Sequence, residues 1–501
     1  MKRSIYPLIF LSLISLQLTG QSQDQKLREF DAYVEKSRVD WQVPGMAVVV
    51  VKDGKVILKK GYGVRQLGKK DLVDDQTLFV CASTTKAMTA VCMGILVDQG
   101  KIKWDDQVIK HFPSLQLYDP YVTRELKIKD LFTHNSGVGN ADFLWGDMNI
   151  SSADVLDKMK LVKPSYSLRS GFIYQNIFYL VAGRVIENVS GLPWDQFIRQ
   201  NIFDKLGMNR TVPFLKDVKD INQTAPHFKI KNTIEVIEHT SADAIGPAGS
   251  VWSCADDISK WVICLLDSSK YSGGKLLSTK TWAELFKPQV IAPQDFYPTT
   301  QLTKPNWTTY AMGWYQQDYK GKKINYHTGS LAGAVAIHGQ LPEAKLGIYV
   351  FGNYDHAEMR HALMYKAFDM FALGGTRDWS TEFLALYKKI NDQNEKKEKD
   401  FEAKRIADTK PALDIGEYAG KYSDPLFGKV EVTVSENSLL LNLNDFVKAR
   451  LEHWHYDTFR GWFDKRWYGK TNALFLRDET GKISKVSFGD VVFVREKQKV
   501  D

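Results

Sequence analysis

Metal-binding and redox signatures are largely missing from this chain of 501 residues. Its four cysteines, Cys81, Cys92, Cys254 and Cys264, form no C-x-x-C pair and no metal-ligand spacing, so they read as buried free thiols. Ten histidines include no H-E-x-x-H and no H-x-H-x-D-H run, and His453-Trp454-His455 reads as packing in a β-rich segment. No pattern calls for a metal or a cofactor. The net charge of +8 is spread through mixed-sign surface patterns without a long basic run, which argues against nucleic acid as a partner. No internal repeat is visible. Beyond the N-terminus no apolar stretch approaches the ~20 residues needed to span a membrane.

What is present is an ordinary globular composition, 44% hydrophobic and 25% charged, on a length that suggests two or three domains. The start, "MKRSIYPLIFLSLISLQLTGQSQ", has a basic end, a short apolar segment interrupted by Pro7, and small residues at Gly20 and Ser22. That is the make-up of a secretory signal over residues 1–22, with a secreted or periplasmic mature protein and no stable membrane span after cleavage.

Leu27, Phe30, Tyr33 and Val34 recur at three- and four-residue spacing, which predicts an amphipathic helix. The run "GMAVVVVKDGKVILKKGYGV" then places Asp53-Gly54 between two β-rich stretches, a strong hairpin signal. Helical patterns alternate with polar loops and late strands to about residue 375, predicting an α+β domain over 26–375 whose sheet edges come from opposite chain ends. Residues 376–410 read as a charged helical linker. Short alternating runs from 411 to 501, with Val430, Val432 and Val434 in alternation, predict a small all-β barrel.

The chemistry-bearing residues fall in three places. Ser83 and Lys86 lie three apart ahead of the apolar helix "AMTAVCMGILVDQG", a spacing that sets an amine beside a hydroxyl on one helical face. A second Ser-x-x-Lys, Ser272 to Lys275, sits in a glycine-containing turn with no helix behind it. Tyr174 and Asn176 lie two apart before another apolar helix, so both can face one cleft, Tyr174 to relay a proton and Asn176 to hold a substrate amide. His327-Thr328-Gly329-Ser330 ends a β-like run; Gly329 permits close approach to the backbone, and the Ser330 amide can join that of Ser83 as an oxyanion donor. His134 reads as a residue that orders its loop by hydrogen bonding.

These three motifs, in this order, resemble those of the serine β-lactamases of the AmpC-like class and the penicillin-binding-protein-like serine hydrolases. The flanking stretches "LFTHNSGVG", "IGPAGSVWSCADDISKW" and "YAMGWY" are similar to recurrent segments of that family. The C-terminal part resembles a lipocalin-like β-barrel appended to some members. The resemblance implies a β-lactamase-like antiparallel sheet flanked by helices with a helical lobe. It also implies Ser83 as acylated nucleophile, Lys86 and Tyr174 as the proton-transfer pair, and Asn176, His327, Thr328, Gly329 and Ser330 as substrate-binding residues.

In true β-lactamases and carboxypeptidases the third motif commonly begins with lysine. Here it begins with His327, whose charge near neutral pH depends on its surroundings. The expected activity is therefore hydrolysis of a peptide, D-residue peptides included, or an ester, through an acyl-enzyme. The alternatives are β-lactamase or D-Ala-D-Ala carboxypeptidase action, or an inactive ligand-binding relative. The expected partners are a small-molecule or peptide substrate and a second copy in a homo-oligomer.

Overall fold

The computed structural model describes residues 7–497 except 147, 149, 356 and 490, with side chains from residue 23 onward. The expected leader, residues 1–22, therefore lies outside the residues whose side chains are described. Among the described residues, no helix is long and apolar enough to cross a membrane.

Helix α1 (Pro7–Asp40) leads into strands β1 (Gly45–Lys52) and β2 (Lys55–Gly63). Asp53 and Gly54 turn the hairpin with both φ angles positive, 50° and 74°, the conformation that matches the twist of the flanking strands. Strand β1 is buried on both faces. Met46, Val48 and Val50 enter one apolar cluster with Phe30 and Val34 of α1, while Ala47, Val49 and Val51 enter the other. Each such side chain contributes about 1.5–3 kcal/mol by leaving water, and the period of two divides one run of valines between two cores.

The sheet continues with β3 (Val290–Ile291), β4 (Thr308–Ala311), β5 (Trp314–Tyr319), β6 (Lys322–Leu331), β7 (Ala334–Leu341) and β8 (Leu346–Gly352). Its eight antiparallel strands run β2-β1-β8-β7-β6-β5-β4-β3. The N-terminal hairpin supplies one edge as expected, but the last strand does not supply the other: β8 pairs with β1 inside the sheet, Val48 opposite Val350. Helices cover both apolar faces of β1, and its edges pair with β2 and β8.

Helices α2 (Thr85–Asp98), α3 (Ile177–Ser190) and α4 (Ala255–Leu266) contribute to the core on one face; α5 (Met359–Phe368) packs with α1 on the other. Helix α6 (Trp379–Glu402) is anchored by its first turn, where Trp379 and Phe383 are buried, and is exposed over most of its second half. Near its end Phe401 stacks on Trp454, and the Arg460 guanidinium lies over both rings. All four cysteines are buried free thiols.

Strands β9 (Gly420–Asp424), β10 (Gly428–Ser435), β11 (Ser438–Leu443), β12 (Val447–His455), β13 (Thr458–Phe463), β14 (Lys470–Arg477), β15 (Ile483–Phe488) and β16 (Val491–Arg495) form a closed up-and-down barrel. Pairing of Tyr422 with Arg495 closes it. Val430 and Val432 point into the core, but Val434, near the strand end, is exposed. His453 contacts the Tyr456 carbonyl through Nε2, and His455 Nδ1 accepts from the Ile406 amide.

Candidate active site

The strand-like pair Phe79–Val80 and Trp252–Ser253 brings residue 81 to the end of α2, where the chain makes one tight turn, Ala82–Thr84, before the α-helix begins. Ser83 lies in this 3₁₀ turn, not in the first turn of the α-helix as its sequence position suggests. At three residues per turn, positions i and i+3 stack directly, which suits a Ser-x-x-Lys pair. Ala82 adopts φ = 46°. A left-handed alanine costs energy that the surrounding packing must offset, and it presents the next side chain outward. Ser83 is accordingly part-exposed while its neighbours are buried.

Lys86 is fully buried. Its Nζ stands 2.9 Å from Ser83 Oγ, 2.6 Å from Asn176 Oδ1 and 2.9 Å from the Ala248 carbonyl. Burial pushes the Lys86 pKa down to about 7, against an opposing pull from the Asp142 carboxylate. The amine is therefore available as a base near neutrality. When neutral it donates two hydrogens, matching the Asn176 and Ala248 oxygens, and its lone pair is left for the Ser83 hydroxyl.

Tyr174 and Asn176 precede α3 and reach the same point. Lys86 Nζ lies 4.9 Å from the Tyr174 ring centroid, and the Ser83 side chain is near enough to Tyr174 to oppose the rise in its pKa. Burial raises the Tyr174 pKa well above its ordinary value, so the residue is a neutral phenol. Asn176 is more committed than its motif implied. Its oxygen accepts from Lys86 and its Nδ2 donates to Asp142 Oδ2 at 2.8 Å, so the amide bridges lysine and aspartate.

The third motif lies on β6. A Cβ at Gly329 would stand 2.3 Å from the Cys81 carbonyl oxygen and 3.0 Å from the Ser83 amide nitrogen, so only glycine lets this strand rest against the Ser83 turn. Arg360 holds the strand from behind, donating to the Gly329 carbonyl and Ser330 Oγ. Thr328 Oγ1 is 2.6 Å from the Tyr297 hydroxyl.

His327 is buried, with Nδ1 2.6 Å from the Thr328 carbonyl and Nε2 2.9 Å from the Tyr310 hydroxyl. This pattern makes Nδ1 the protonated nitrogen and Nε2 the acceptor. Burial and the nearby Lys86 charge push its pKa down to about 3. His327 is thus neutral across the physiological range, and the imidazolium form considered from the sequence is not populated there.

Several site residues escaped sequence reasoning. Asp142 sits in a loop whose composition marks it only as a pocket wall. The Ala248 carbonyl belongs to the "IGPAGS" stretch, but a backbone acceptor has no residue signature. His134 does order its loop, with Nδ1 accepting from the Gln175 amide at 3.1 Å; its ring also packs 4.3 Å from Tyr174 and 4.7 Å from Tyr310. Both residues of the other Ser-x-x-Lys copy are exposed.

A family model described as Beta-lactamase matches residues 28–368, and one described as a domain of unknown function (DUF3471) matches 404–500. The second match is not to a lipocalin, so the lipocalin-like expectation reduces to a closed antiparallel β-barrel. Among curated relatives, an unguisins hydrolase from Aspergillus campestris is 26% identical, with 84% of this chain and 80% of that protein covered. Protein flp of Staphylococcus aureus strain MW2 is 24% identical over 67% of this chain and 64% of its own length. Among solved structures, the octameric penicillin-binding protein homologue from Pyrococcus abyssi aligns with a TM-score of 0.62 at 20% identity, covering 93% of this chain and 99% of that one. SurE aligns with a TM-score of 0.57 at 17% identity, covering 95% of this chain and all of that one.

Proposed function

The chain belongs to the β-lactamase family of serine hydrolases, and from that premise we propose that Ser83 is its acylated nucleophile and Lys86 the base that activates it. The observation that carries this reading is the 2.9 Å contact between Ser83 Oγ and a buried amine whose pKa is about 7.

The Ser83 hydroxyl gives its proton to the neutral Lys86 amine as Oγ attacks the substrate carbonyl. Negative charge gathers on the carbonyl oxygen, and the amides of Ser83 and Ser330 receive it. The Tyr174 phenol then passes a proton to the departing amine or alkoxide and is reprotonated from Lys86. The acyl group remains as an ester on Ser83. Water, deprotonated by Lys86, attacks that ester and releases the acid, restoring the hydroxyl. No cofactor is required.

The substrate is read as an uncharged peptide, D-residue peptides included, or an ester. The neutral His327 supports this, because it provides no fixed cation for a substrate carboxylate. The name of the fungal relatives, unguisins hydrolases, supports a hydrolase generally. The N-terminal composition supports export to a secreted or periplasmic location.

A fluorophosphonate probe should label the wild type and not Ser83→Ala. A panel of D- and L-aminoacyl amides, simple esters and a chromogenic cephalosporin then ranks the substrates. Labelling that survives in Ser83→Ala at full extent would overturn the assignment of the nucleophile.

A further inference from the structure

The barrel has two ends, and they differ. At one end Asp457 ties the barrel entrance together, accepting from the Ala412 amide and the Tyr418 hydroxyl. At the other end, the turns β9–β10, β11–β12 and β13–β14, with Phe488, Gly489 and Val491, surround a cavity of about 520 Å³. Its walls are mostly apolar and include Phe427, Val447, Phe463 and Phe488, and among the described residues none that lines it is charged. An eight-stranded barrel is wide enough either to fill itself with side chains or to keep room for one small ligand. This one fills its middle and leaves its mouth open, at a volume within the roughly 300–1,000 Å³ of small-molecule pockets.

The roof of that mouth comes from the hydrolase domain. Phe143 and Met148 line the cavity, and the Phe143 ring stacks on Phe427 with centroids 4.1 Å apart. Lys158 fastens the same turn, donating to the carbonyls of Pro425 and Leu426 at 2.8 and 3.1 Å. Phe143 directly follows Asp142. From Asp142 the hydrogen bonds run to Asn176, then to Lys86, then to Ser83. The cavity roof and the hydrogen-bonded centre of the site are therefore consecutive residues.

The geometry points to the barrel mouth as a subsite for an apolar arm of the substrate, such as a medium-length acyl chain, carried by the molecule whose carbonyl Ser83 attacks. This rests on the reading of Ser83 as nucleophile. The apolar walls favour an aliphatic chain over a charged one, since a buried charge here meets no charged partner among the described lining residues. The barrel is then part of the substrate site and sets chain-length preference.

The test compares p-nitrophenyl acetate with p-nitrophenyl octanoate, using the wild-type full chain and two variants that fill the cavity, Val447→Trp and Thr471→Trp. The wild type should prefer octanoate in kcat/KM by about tenfold or more. Both variants should lose most of that preference while hydrolysing acetate at the wild-type rate, which also reports that they fold. n-Octanol, with the chain but no scissile bond, should compete with octanoate and spare acetate.

An unchanged octanoate-to-acetate ratio in both filled variants overturns the subsite. Octanol that alters acetate turnover in the wild type but not in Val447→Trp makes the cavity an effector site and overturns the substrate-arm assignment. Fluorophosphonate labelling of Ser83 is read separately, so loss of the subsite is not confused with loss of the nucleophile.

Discussion

Ser272 to Lys275 repeats the spacing of Ser83 to Lys86 in a turn joining two very short strands, Lys270–Tyr271 and Gly274–Lys275. There both side chains face water, and Lys275 Nζ lies 3.4 Å from Thr279 Oγ1. At the other copy the lysine is buried against two other oxygens and a tyrosine ring besides its serine. The same letters in the same order thus produce a solvent-exposed side chain in one region and a buried amine of pKa about 7 in the other. Spacing brings the two groups together; removal from water gives the amine its chemistry.

The strongest way to break this contrast is by deletion. Lys86→Ala should lower kcat/KM for a neutral ester by about 10²–10⁴-fold, the usual contribution of a positioned general base. Lys275→Ala should leave it unchanged, and a comparable loss in both would end the distinction. Steady-state kinetics with matched melting curves decides it.

The next effect is steric. Gly329→Ala drives a methyl into the Cys81 carbonyl, which should cost about 1–3 kcal/mol as overpacking and lower activity by displacing the Ser83 turn. Denaturant unfolding and kinetics on one preparation measure both.

The pH dependence sharpens the comparison further. Lys86 acts as a base only when neutral, so kcat/KM for a neutral ester should rise with pH through about 7 and then level off. Asp142→Asn removes the carboxylate that holds the ammonium form up, so the rise should move to lower pH. A shift to higher pH would contradict the assigned direction.

The smallest effect concerns His327. Because it is neutral from well below pH 5 upward, the ratio of activities on acidic and neutral esters should stay flat between pH 5.5 and 8. A decline in that ratio as pH rises would show an imidazolium at work.

Much of the frame was legible from local pattern. Leu27, Phe30, Tyr33 and Val34 foretold α1, Asp53-Gly54 foretold the β1–β2 turn, and the alternation around Val430 foretold a barrel strand, because helix period, turn chemistry and pleat are properties of neighbouring residues. The position of β8 was not legible. An apolar strand says that it is covered but not by which partner, and the answer was the hairpin three hundred residues earlier.

The sequence by itself determined which residue types were available and in what order: a serine, an amine, a phenol, an amide and a glycine-bearing strand. Tertiary structure alone decided their state. Lys86 lost its solvent, His327 was kept neutral between Tyr310 and a backbone carbonyl, Ala82 was held left-handed, and Asp142 was brought to Asn176 with Phe143 laid over the barrel mouth. Charge state and strain depend on what surrounds an atom in three dimensions, and those surroundings are assembled from segments far apart in the chain.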